Sequence, residues 1–102
     1  MLDYFEQGIT VTFEMELKRE AVESMISGFG ASLEETRAFP GCRWVHAFQS
    51  NDASNKLILI ENWESAEAYD KYIAWRTKTG VMDALADIAE TPPHPRHWTF
   101  IV

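Results

Sequence analysis

Chemistry in this chain is most concentrated between residues 61 and 80, ENWESAEAYDKYIAWRTKTG, where two Trp, two Tyr and one Arg stand among acidic and small residues. At ~100° per residue, Ala66, Tyr69, Tyr72, Ile73 and Arg76 share one side of a helix and Asp70, Lys71, Ala74, Thr77 and Lys78 the other, with Trp75 on the flank. Arg76 thus sits between two tyrosines on the inward side. It either stacks its stem on Tyr69 and Tyr72 and reaches a carboxylate such as Glu61 or Glu64, or faces a cavity. In a cavity, a fixed cation stabilises a phenolate, enolate or carboxylate, increasingly so as water is excluded. Trp63 offers a flat wall and one N–H donor to a planar ligand, or fills core. His46 can donate or accept near neutral pH and is a candidate base, with a structural role as its alternative.

The elements that must position these groups follow from periodicity. Ile9, Val11, Phe13, Met15 and Leu17 alternate with polar residues, which predicts a half-buried strand. Val22, Met25, Ile26, Phe29 and Leu33 recur at three and four, which predicts an amphipathic helix over 19–37 that ends at the FPG turn of residues 39–41. A second strand over 43–49 leads through SNDASN into KLILIENW, whose consecutive apolar residues require cover on both faces. Ser65 is the expected N-cap of the second helix, which runs to about Thr79 before Gly80. Residues 81–89 form a short helical extension that TPP ends, and the alternation of Trp98, Phe100 and Val102 predicts a last strand in the tail.

The order is that of an α+β, ferredoxin-like βαββαβ fold: a four-stranded antiparallel sheet with both helices on one face. Residues 1–102 read as one domain, without repeats or linkers. Cover for the second face comes most simply from another copy of the chain, so a homodimer is expected. A net charge of -7 argues against nucleic acid and anionic membrane as partners. No run approaches the length of a membrane span, and Met1-Leu2-Asp3 does not begin a signal peptide, so a cytoplasmic protein is expected. One Cys, Cys42, and three scattered His give no metal-ligand spacing; no metal is expected, and Cys42 reads as a small buried residue.

FPGCRWVHAFQ followed by LILIENWESAEAYDKY resembles the core of the antibiotic biosynthesis monooxygenase superfamily, the small dimeric α/β-barrel proteins, over residues 9–89. Glu61, Trp63, Ser65, Glu67, Ala68 and Tyr69 carry the most specific part. The resemblance implies oxidation of a small phenol, quinol or anthrone by O2 without a cofactor, with the substrate supplying the electrons. Trp63 and Tyr69 match pocket positions of such enzymes, while their Asn falls at Leu59 and their Arg at Asp83. Arg76, with His46 or Asn62 positioning an oxygen, is expected to act in their place, and Trp63, Tyr69 and Tyr72 to bind substrate. The haem-degrading branch fits less well, because its axial His falls near Met82 or Asp83 and its pocket Trp near Tyr72. The alternatives are a non-catalytic dimer that binds a small molecule, and an isomerase or cyclase. An active-site Arg76 predicts that Arg76→Ala costs activity with little change in stability.

Overall fold

The computed structural model describes residues 8–102; the reading of Met1-Leu2-Asp3 lies outside the described residues. Strands β1 (Ile9–Glu16), β2 (Cys42–Gln49), β3 (Lys56–Trp63) and β4 (His94–Trp98) form one sheet in the order β2-β3-β1-β4, every pairing antiparallel. Helices α1 (Val22–Ala38) and α2 (Ala66–Lys78) cover one face, and α3 (Val81–Ile88) follows Gly80 directly. The result is the expected ferredoxin-like α+β arrangement. No helix among the described residues is long and apolar enough to cross a membrane.

The helix boundaries have local causes. The Ser65 hydroxyl accepts from the Ala68 amide at 3.1 Å and caps α2, as its position predicts. Gly80 takes φ 87°, a left-handed conformation that lets α2 stop and α3 start in a new direction. Gly41 does the same at the FPG turn with φ 94°, and there an added Cβ would lie 2.5 Å from that of Ala68. Residues 19–21, expected as the first turn of α1, form a separate 3-10 turn.

Two clusters make the core. Phe13, Met15, Leu17, Leu57 and Leu85 fill one end, and Val11, Trp63, Tyr69 and Tyr72 the other. Val22, Met25 and Phe29 of α1 pack on the first cluster, but Ile26, expected on the same stripe, is 42% exposed. It falls one position past Met25, about 100° around the helix, and so turns off the buried face. The last strand also differs from expectation. It starts at His94, includes Pro95, which an edge strand tolerates, and pairs with β1 only as far as Trp98 opposite Thr10.

Period two separates the two faces of β3. Leu57, Glu61 and Trp63 are buried toward the helices, with Leu59 half-buried between them. Ile58, Ile60 and Asn62 point to the opposite face, beside Trp44, His46 and Phe48 of β2, their partners in register. That outer face sets these apolar residues among Thr10, Thr12, His46 and the buried Asn62, with Phe48 52% and Trp98 50% exposed.

Candidate functional site

Between the sheet and the helices lies a cavity of about 60 Å³. Glu61 and Leu59 of β3 line it from below, Tyr69, Tyr72 and Arg76 from α2, and Ser32 and Thr36 from α1. Met15, Met25 and Met82, three of the four methionines in the chain, complete an otherwise apolar wall. Unbranched thioether side chains repack readily, so this wall can yield to a ligand.

Glu61 is the chemically distinctive member. Its position on the inward face, between Leu59 and Trp63, places a carboxyl against hydrocarbon, and it is 3% exposed. Burial pushes the carboxyl up from 4.5 to about 7, against the opposing effects of the Trp63 hydrogen bond and the Arg76 charge. Trp63 Nε1 donates to Oε1 at 2.8 Å, which fixes the side chain and leaves Oε2 as the second acceptor on the cavity wall. A carboxyl that changes charge near neutrality suits proton transfer. The sequence pattern carried this residue only as part of a motif and as one possible partner for Arg76.

That partnership is made elsewhere. Arg76 is 4% exposed and clamps α2 to α1: Nε donates to Tyr72 Oη at 2.9 Å, Nη1 to Glu35 Oε1 at 3.1 Å, and Nη2 to Ser32 O at 2.9 Å and Thr36 Oγ1 at 3.0 Å. The Tyr72 hydroxyl and Thr36 Oγ1 are 2.8 Å apart, and Thr36 Oγ1 donates on to Ser32 O at 3.2 Å. With Tyr72 accepting from Arg76, one consistent proton order runs Arg76 to Tyr72 to Thr36 to Ser32. The guanidinium also lies 4.6 Å from the Trp75 ring centre and 5.3 Å from that of Tyr72. Burial acts to lower its proton affinity, but the Tyr72 hydroxyl and the Glu35 carboxylate outweigh it and hold Arg76 cationic. It borders the cavity as a strut whose charge acts at a distance, with four of its five N–H groups engaged on protein.

Trp63, Tyr69 and Tyr72 are brought together as one aromatic cluster, of which Tyr69 and Tyr72 line the cavity while Trp63 is packed in the core behind them. Trp63 lies 4.8 Å from Tyr72 and 5.7 Å from Tyr69, centre to centre, with Phe39 edge-on behind them. The Tyr69 hydroxyl makes no hydrogen bond among the described residues, and burial, chiefly, raises its proton affinity, so it remains a neutral donor. His97 of β4 meets the Tyr69 ring edge-on at 5.3 Å.

His46 and Asn62 are not part of this assembly. Both alternate onto the outer face of the sheet, where His46 stacks on Trp44 at 5.6 Å. Asn62 accepts from Arg43 Nη1 at 3.4 Å and donates to Thr10 Oγ1 at 3.2 Å. The reason is simple: even-numbered residues of β3, and of β2 from Trp44 onward, beyond the irregularity between Cys42 and Trp44, face away from α2. Cys42, half-buried near Glu61, has its thiol pushed up to about 11, mainly by burial, consistent with a space-filling role.

With this geometry in hand, the comparisons with known proteins are informative about lineage. The family model described as antibiotic biosynthesis monooxygenase matches residues 8–75. Against curated proteins there is no match. The fold is similar to that of a conserved protein from Methanosarcina mazei Go1, at 19% identity over 99% of this chain and 100% of that one, with a TM-score of 0.85. A Mycobacterium tuberculosis protein matches at 19% identity over 92% and 95% of the two chains, TM-score 0.81. A structure described as an antibiotic biosynthesis monooxygenase matches at 18% identity over 92% and 99%, TM-score 0.82. The chain belongs to the antibiotic biosynthesis monooxygenase family.

Proposed function

We propose that the protein is a monooxygenase acting on a small phenolic or quinol-type aromatic, with Glu61 as the proton acceptor. The observation that carries this reading is the buried Glu61 carboxyl on the wall of a small, largely apolar cavity, held by Trp63 Nε1 at 2.8 Å and bordered by aromatic rings. Ionised Glu61 takes the proton of the substrate hydroxyl. The resulting anion is favoured by the nearby Arg76 charge and by the Tyr69 hydroxyl as donor. Electron-rich carbon then passes one electron to O2, the radicals join as a peroxide, and the peroxide collapses. One oxygen atom stays as the new carbonyl and the other leaves as water, which takes one hydrogen from the ring carbon and the hydroxyl proton that Glu61 had accepted. The protein's part is to bind the ring edge, accept the proton and limit water.

Two further features belong to this reading. A cavity of about 60 Å³ is well below the ~150 Å³ that encloses a benzene, so the hydroxyl-bearing edge enters while the rest of the molecule stays outside or displaces the methionines. The open outer face, with Trp44, Phe48, Ile58, Ile60 and Trp98, is covered by a second copy of the chain, as the sequence leads one to expect. A binding-only role is favoured by one observation, the engagement of four Arg76 N–H groups on α1 and α2. Oxygen consumption with 2-methylhydroquinone decides between them. Wild type consumes O2 above the buffer rate and Glu61→Gln loses at least tenfold; binding without consumption supports the second reading.

A further inference from the structure

The cavity adjoins a second space that the reaction above does not use. Between α1 and α3 runs a groove of about 550 Å³, bordered by Ser24, Gly28, Ala84 and Ile88. Met25, Phe29, Ser32, Val81 and Leu85 line both the groove and the cavity, so the floor of one is the roof of the other. In a chain of net charge -7 with 25% charged residues, the groove wall contains none. Its lining on the α1 side extends from Ala21, just before α1, to Ser32, which at 1.5 Å per residue is ~16 Å, longer than a single ring. Gly28 deepens it, because a Cβ there would meet nothing within 4 Å.

We infer that the groove between α1 and α3 takes an uncharged hydrocarbon chain attached to the ring whose hydroxyl edge enters the Glu61 cavity. This rests on the oxygenase reading for the head group alone; the tail site follows from the uncharged groove and the five residues it shares with the cavity. The small cavity selects a narrow polar head, and the long neutral groove beside it supplies the apolar area that so small a cavity lacks. Alkylated hydroquinones, and not compact tricyclic anthrones, are therefore the preferred class. A fully buried methylene strengthens binding about fourfold, and a groove open on one side delivers about half of that free energy, or about twofold per methylene.

The test is an affinity series under nitrogen with 2-methyl-, 2-butyl-, 2-hexyl- and 2-octylhydroquinone, read by quenching of Trp fluorescence. Affinity rises about twofold per methylene in wild type, and Gly28→Leu, which fills the groove and favours the helix, removes the rise. Gly30→Leu, around the helix from the groove, keeps it. A flat series in wild type, or an unchanged slope in Gly28→Leu, overturns the inference. So does a change of oligomeric state in Gly28→Leu, which would make the groove a contact between copies. If short homologues drive O2 uptake but the slope is flat, the tail site falls and the oxygenase reading stands. If the slope is present and O2 is not consumed, the tail site stands and the oxygenase reading falls.

Discussion

Replacing Glu61 by Gln should shift the stability balance toward the variant as the pH rises. The carboxyl lies between Leu59 and Trp63 at 3% exposure and is raised from 4.5 to about 7. Folding therefore favours its protonated form. Its full contribution is present below about pH 4.5 and is lost as pH rises through about 7. At ~1.36 kcal/mol per tenfold change in proton affinity, the loss amounts to about 3 kcal/mol. Gln keeps an oxygen to accept from Trp63 Nε1 and cannot ionise, so it escapes that loss. Burying its amide adds a cost of ~1–3 kcal/mol that does not vary with pH, unless water in the cavity meets the N–H groups. The measurement is urea unfolding of both proteins at one concentration between pH 4 and pH 8.5. The stability difference should move by about 3 kcal/mol toward Glu61→Gln across that range. A difference independent of pH, or one moving the other way, would refute the placement of an ionisable carboxyl in a dry wall.

Arg76→Ala should lower stability by about 3 kcal/mol, because it removes the four hydrogen bonds donated to Tyr72, Glu35, Ser32 and Thr36 at the α1–α2 contact. This reverses the effect expected of a pure active-site Arg, and a thermal melt shows it. Arg76→Lys should recover little of the loss, since one ammonium cannot span the four acceptors. Trp63→Phe removes the donor that lowers the Glu61 carboxyl, so the midpoint of the pH dependence of O2 consumption should move up from about 7 by about one pH unit. Ile60→Asp puts a charge on the outer face of β3, and sedimentation should then show a monomer in place of the dimer proposed for wild type.

The four-stranded antiparallel sheet and both main helices were legible because β1, α1 and α2 each carry one clear period, whereas the alternation of Trp98, Phe100 and Val102 pointed past the end of β4 at Trp98. The inward stripe Tyr69, Tyr72, Arg76 appears where helical spacing puts it, and all three residues are buried. The partner of Arg76 was harder to read. Thr36 continues the stripe of Phe29 and Leu33 on α1, and a polar residue ending an apolar stripe is a signal that another buried polar group faces it. It went unread because an Arg is normally assigned a carboxylate. Glu61 was visible in the same way: in LILIENW the odd positions share a face, so an acid stood on the core side between Leu59 and Trp63. Parity also separates His46 and Asn62 from the cavity. What spacing alone could not convey is volume, because it depends on how methionines from β1, α1 and α3 close over the site.

The most direct check is the titration of the Glu61 carboxyl by carbon-13 NMR on protein labelled at glutamate carboxyls, its resonance identified by its loss in Glu61→Gln. A midpoint near 7 is the predicted result. A midpoint near the ordinary 4.5 would contradict it, because the group would then be solvated and no proton-accepting cavity would exist.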